Sequence, residues 1–180
     1  GGIRSADDVA RALRAGADKV SLNTAAVEHP EVIAQASHRF GAQCVVASID
    51  AAMIDGTYRV FVKGGKVPTA LEAVSWAQEC ERRGAGEILL TSIDRDGVRG
   101  GYDLALTRAI SEAVRVPVIA SGGAGSAAHV VDAFREGMAD AALVAGIVHD
   151  RVVTVAALKA AMHDAGVPVR QTAAVEATGA

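Results

Sequence analysis

The chain has 180 residues, 51% of them hydrophobic and 3% aromatic, with 18 Lys and Arg against 21 Asp and Glu for a formal charge of −3. That length suits one domain with a sizeable core, and the acidic balance argues against nonspecific nucleic-acid binding, which needs a basic surface. No apolar run approaches 18 residues, so no membrane span is expected, and no charged-then-apolar leader opens the chain.

In chain order, residues 6–14 read as an amphipathic helix, with Ser5 as its N-cap and Gly16 just past its end. The apolar run 19–23 reads as a strand and 30–39 as a helix with Pro30 in its first turn. A second strand covers 44–50. Residues 56–66 then read as a small inserted β-hairpin, with a strand at 58–62 followed by Lys63-Gly64-Gly65-Lys66. A helix is expected over 69–83, closed by Gly84, and a strand over 87–92. Helix 104–114, strand 116–121, helix 127–136 with Ser126 as cap, strand 140–145 and helix 153–165 complete the alternation. The tail 171–180 has no periodicity and is expected to be disordered.

Five strands and six helices in alternation imply an α/β protein with a parallel sheet. The strand runs lack a period of two, which suits strands covered on both faces. An open doubly wound sheet and a (β/α)8 barrel both fit. Cys44 and Cys80 have no CxxC or His companion, so two reduced, buried thiols and a cytoplasmic setting are expected.

An internal repeat favours the barrel. Gly1-Gly2, Ser5-Ala6, Val9, Ala12 and Gly16 recur in register as Gly122-Gly123, Ser126-Ala127, Val130, Ala133 and Gly137. After one extra residue, Ala17-Asp18 recurs as Ala139-Asp140. Ser48-Ile49-Asp50 also matches Ser92-Ile93-Asp94. Repeated βα units point to a barrel with internal two-fold symmetry. A Gly-Gly loop between strand and helix lets backbone N–H groups approach a phosphate, and the helix N-terminus adds favourable charge. Two such loops suggest a substrate with a phosphate at each end. Each site would be shared with the next strand end, Asn23-Thr24 for Gly2 and Ala145-Gly146 for Gly122-Gly123.

Catalytic groups in a barrel sit at C-terminal strand ends. Asp50 follows a buried run and is placed for a raised pKa and acid/base work, or for capping. Asp94 and Asp96 are similar candidates that also suit a turn, and Thr91 and Ser92 could donate to phosphate or simply end the strand. Of the five histidines, His29, His38, His129 and His163 read as helix-surface or helix-start residues, and His149 follows a strand end. No His, Asp or Glu set has metal spacing, so no metal and no cofactor are expected.

Several strings carry a resemblance. Gly1-Gly2-Ile3-Arg4, the stretch from Gly16-Ala17-Asp18-Lys19 through Ser21-Leu22-Asn23-Thr24, and Ser48-Ile49-Asp50-Ala51 belong to it. So do Leu90-Thr91-Ser92-Ile93-Asp94-Arg95-Asp96-Gly97, Gly101-Tyr102-Asp103-Leu104 and Ala120-Ser121-Gly122-Gly123-Ala124-Gly125. Together they resemble the cyclase subunit family of imidazole glycerol phosphate synthase, from residue 1 to about residue 170. The sister isomerase of histidine biosynthesis shares the Gly-Gly loops but not the string around Asp94; it stands as the alternative, beside a non-catalytic phosphate-binding remnant.

The resemblance implies a (β/α)8 barrel. It implies attack of ammonia on a bisphosphorylated formimino-carboxamide ribonucleotide, giving imidazole glycerol phosphate and aminoimidazole carboxamide ribotide. Asp50 matches one of two catalytic aspartates; the other belongs to a first barrel strand that the sequence does not contain. Gly2, Asn23, Thr24, Thr91, Asp96, Gly97, Gly122, Gly123, Ala145 and Gly146 fall at substrate or phosphate positions. A glutaminase partner would deliver ammonia at the opposite face, where Lys19 and Glu87 match charged positions. The chain is short against barrels of about 250 residues. Residues 1–170 are therefore expected to run from the end of a third strand through an eighth helix, as an incomplete barrel that is inactive alone. Ala52, Val98 and Gly146 depart from the family's usual Lys, Thr and Ser. They remove side-chain donors while leaving the backbone donors.

Overall fold

The computed structural model describes residues 2–170. Gly1 of the first Gly-Gly pair and the tail 171–180 lie outside the described residues. Five strands run parallel in chain order: β1 (Val20–Leu22), β2 (Val45–Ile54), β5 (Glu87–Ser92), β6 (Val118–Ser121) and β7 (Ala141–Ala142). Helices alternate with these strands: α1 (Ala6–Arg14) precedes β1, α3 (Glu31–Phe40), α4 (Ala73–Arg82), α5 (Leu104–Ala113) and α6 (Ala127–Arg135) lie between successive parallel strands, and α8 (Val155–Asp164) follows β7, the order in which right-handed crossovers are the rule.

The helix-facing side holds the core. Ile49, Ile88, Leu90 and Val118 from the strands are fully buried against Val9, Ile33, Leu106 and Ile110 from the helices. Burial alternates along β5 and β6, contrary to the expectation of strands covered on both faces. Ser48, Asp50, Leu89, Thr91, Ile119 and Ser121, on the other face, are only half-buried. Among the described residues no second layer lies over that face, and β1 and β7 each pair along one edge only, so the sheet is not closed.

The hairpin expected at 56–66 is larger. β2 runs on to Ile54, turns at Asp55-Gly56, pairs antiparallel with β3 (Thr57–Val62), and β3 pairs with β4 (Val67–Glu72). This corrects the helix expected from residue 69. Its first four residues belong to β4, and the helix begins at Ala73, where the Glu72 carboxylate accepts the Val74 and Ser75 N–H groups. The ladder that β3 offers outweighs the local helical pattern. The strand expected at 140–145 is reduced to Ala141–Ala142.

Two short helices were not foreseen: α2 (Thr24–Glu28) after β1, and α7 (Gly146–His149) after β7. They extend the internal repeat. Asn23 and Ala145, before them, share one backbone conformation (φ −114°, ψ −87° and φ −121°, ψ −72°). Ser5 and Ser126 likewise match (φ −146°, ψ 165° and φ −155°, ψ 168°), each accepting an N–H of its own first turn. Gly2 and Gly123 both sit at positive φ, +89° and +104°. Cys44 and Cys80 are free thiols; Cys80 is buried, and burial pushes it up to about 12, whereas Cys44, expected to be buried, is only partly so because it ends the short turn Ala42–Cys44 ahead of β2. No helix of the described residues is long and apolar enough to cross a membrane.

Candidate active site

The C-terminal ends of the parallel strands carry the polar groups. Asp50, Thr91 and Ser121 are register partners across β2, β5 and β6, so they form one row on the half-buried face. Burial raises the Asp50 carboxyl above the ordinary aspartate range, and the Asp96 charge raises it further. A carboxyl so held keeps its proton to higher pH than an exposed aspartate, which suits it to acid/base work.

A cleft of about 860 Å³ opens beside Asp50. Gly2, Asn23, Thr24, Ser48, Asp50 and Lys63 line it, with Arg4 at its side. A Cβ on Gly2 would meet nothing within 4 Å. The structure thus brings together four residues expected from the sequence, Gly2, Asn23, Thr24 and Asp50. It adds two cations, Arg4 and Lys63, that were not singled out. Lys63 belongs to the turn between β3 and β4, so its arrival depends on the fold of the hairpin.

The second Gly-Gly loop lies in a different setting. Gly122 and Gly123 are buried under the segment that follows β5. A Cβ on Gly123 would stand 2.2 Å from the Gly101 carbonyl oxygen, and one on Gly122 2.7 Å from that of Ser92. The Gly101 N–H donates to the Gly123 carbonyl at 2.8 Å. Asp96 lies against Gly122, while Gly97 has φ +74° and open space around it. Ala145 and Gly146 are exposed at the end of β7. There the Arg99 guanidinium lies about 3.4 Å from where a Gly146 Cβ would be, and it pairs with Asp150. All these residues occupy one end of the sheet, but only the first loop shares a cleft with Asp50.

A buried polar network backs the site. Asp103, 9% exposed, accepts from the Tyr58 hydroxyl at 3.0 Å, the Ser92 hydroxyl at 3.3 Å and the Leu106 N–H at 3.1 Å. It ties β3 to the end of β5 and the start of α5. Burial, with the Asp103 hydrogen bond, pushes Tyr58 up to about 12. Asp94 accepts the Met53 N–H at 2.8 Å and holds the β2 extension to the loop after β5. His129 accepts the Gly125 N–H at 3.2 Å, which fixes the glycine loop from behind. His149 ends α7 and does not line the cleft. Among the described residues no three His, Cys, Asp or Glu side chains gather as a metal site.

At the opposite end of the strands Lys19 and Glu87 form an ion pair. Glu87 is the register partner of Val46 in β2, on the same face as Asp50. It lies four residues below the Asp50–Thr91 level, about 13 Å along the strand.

The family described as histidine biosynthesis protein matches residues 1–154. The chain belongs to this family. It is 67% identical over 170 residues to the imidazole glycerol phosphate synthase subunit HisF of Myxococcus xanthus, covering 94% of this chain and 67% of that protein. The proteins of the same name from Metallosphaera sedula and Geobacillus thermodenitrificans are each 56% identical, over 94% of this chain and 68% of their own length. The chain therefore spans about two thirds of the length of these family members.

Proposed function

We propose that this chain carries the cyclase chemistry of imidazole glycerol phosphate synthase: ammonia and a bisphosphorylated formimino-carboxamide ribonucleotide give imidazole glycerol phosphate and aminoimidazole carboxamide ribotide. The observation that carries the reading is the position of Asp50. A carboxyl that burial raises above the ordinary aspartate range stands in the end row of the sheet, in one cleft with the first glycine loop of the repeat, in a chain 67% identical to a subunit of that name.

The first phosphate sits at the Gly2 loop, against backbone N–H groups at Asn23 and Thr24, with Arg4 and Lys63 supplying positive charge. The second sits at Gly122-Gly123 and Ala145-Gly146, with Thr91, Asp96 and Gly97 between the two. Binding a phosphate at each end places the reacting carbonyl over the row of Asp50 and Thr91, which lowers the entropic cost of ring closure. Asp50 gives a proton to the departing carbonyl oxygen or takes one from the attacking nitrogen. The opposite proton transfer needs a second acid or base across the substrate.

The half-buried face supports an incomplete (β/α)8 barrel. Its five parallel strands follow one another in barrel order, and further strands would cover Leu89 and Ile119. Residues 1–170 form one domain in this reading. A glutaminase subunit docks at the Lys19–Glu87 end, and ammonia crosses the barrel along the face to Asp50. The enzyme works in the cytoplasm.

The test is to supply the bisphosphorylated ribonucleotide and ammonium salt to the full natural reading frame and separate the products by chromatography. The two products are expected in equal amounts, dependent on ammonia. Conversion to neither, with substrate bound, would refute the reading.

A further inference from the structure

β2 forks beside Asp50, and one side chain fills the fork. β5 occupies one edge of β2 from Val46 to Ala51. The other edge pairs with β1 up to Ala47 and with β3 from Asp50 onward. Among the described residues, Ser48 and Ile49, between those ladders, have no strand partner on that edge. β1 ends at Leu22, and the next residue is Asn23.

The Asn23 side-chain amide donates to the Ser48 carbonyl at 3.2 Å and to the Phe61 carbonyl at 3.1 Å. Phe61 is the register partner of Asp50. The Asn23 amide oxygen accepts from the Thr24 hydroxyl at 3.1 Å, and that hydroxyl accepts the Lys63 N–H at 2.9 Å. An amide nitrogen carries two protons and a hydroxyl one. All three are engaged, so neither side chain has a donor left for a phosphate.

We propose that Asn23 is a positioning residue: its amide stitches β1, β2 and β3 together at the fork and so fixes Asp50, while phosphate at this loop is held by backbone N–H groups and the neighbouring cations. Thr24 extends the stitch to the β3–β4 turn, which carries Lys63 into the cleft. Losing both Asn23 donors leaves two carbonyls of the fork without their partners. β3 then loosens from β2 at the level of Asp50, and the carboxyl loses its fixed place. The link to catalysis rests on the cyclase reading; the stitch itself does not.

The test uses Asn23→Ala and the milder Thr24→Val in the full natural reading frame, with three readouts. Asn23→Ala is expected to speed amide hydrogen exchange in the β2–β3 ladder tenfold or more. It should leave the affinity for inorganic phosphate within threefold. It should lower kcat tenfold or more with KM within threefold, and shift the limb of the kcat pH profile that reports Asp50. Thr24→Val should move the same quantities the same way by less, and decides the matter if Asn23→Ala does not fold. Phosphate binding weakened tenfold with exchange unchanged would make the side chain a phosphate ligand and overturn the proposal. Unchanged exchange and unchanged kcat would overturn it too. If the unsubstituted protein turns over no substrate, the cyclase reading fails, and exchange and phosphate affinity still decide for or against the stitch.

Discussion

Alanine at the two repeat-related glycines should have unequal effects, although both have positive φ. At Gly2 (φ +89°) a Cβ meets open space. The cost is the backbone strain alone, about 1–2 kcal/mol. At Gly123 (φ +104°) the strain remains and the Cβ also falls 2.2 Å from the Gly101 carbonyl oxygen, a contact only backbone movement can relieve. That movement breaks the 2.8 Å bond from the Gly101 N–H to the Gly123 carbonyl, worth about 0.5–1.5 kcal/mol. Overpacking adds about 1–3 kcal/mol. Gly123→Ala should therefore cost about 3–6 kcal/mol in all, with strain at about 1–2 kcal/mol. With a urea slope near 2–3 kcal/mol/M, the unfolding midpoint should fall by about 1–3 M, against about 0.3–1 M for Gly2→Ala. Urea unfolding followed by circular dichroism measures both. Equal midpoints for the two variants would refute the claim that the segment after β5 is packed onto the second loop.

Tyr58→Phe removes one donor to buried Asp103 and should cost about 1–3 kcal/mol. Because folding raises the Tyr58 pKa to about 12, its contribution is present below pH 10 and lost as pH rises toward 12. The phenylalanine variant should show a shallower loss of stability over that window in urea titrations. Asp50 also has a raised pKa, so the folded state is disfavoured once this carboxyl ionises. Asp50→Asn should accordingly match the parent's stability at acid pH and exceed it at neutral pH, as read by thermal unfolding. Lys19→Met breaks a partly exposed ion pair and should change stability by no more than about 1 kcal/mol. In the assembled enzyme it should lower glutamine-dependent turnover more than ammonia-dependent turnover, compared in parallel assays.

The elements legible in the sequence were those with enough residues to show a period. Residues 6–14 and 87–92 carry complete apolar patterns with clear stops, and both boundaries stand. α2 and α7 escaped because five and four residues are too few for a helical period. Residues 69–72 escaped because their strand exists only where β3 folds back to pair with them. Asp50 was legible as a carboxylate ending a buried run. What Asn23 does was not, since one of its partners, Phe61, lies 38 positions later in a hairpin whose placement is tertiary. The same holds for Lys63 and Arg99, which reach the strand ends only through long loops and turns.

The central claim, that Asp50 transfers a proton between two phosphate loops, is tested most directly by Asp50→Asn in the ammonia-dependent conversion. The amide keeps the shape of the carboxyl and cannot shuttle a proton. The account predicts a fall in kcat of about 10²–10⁴-fold, with substrate binding retained. A variant that turns over within threefold of the parent would contradict it.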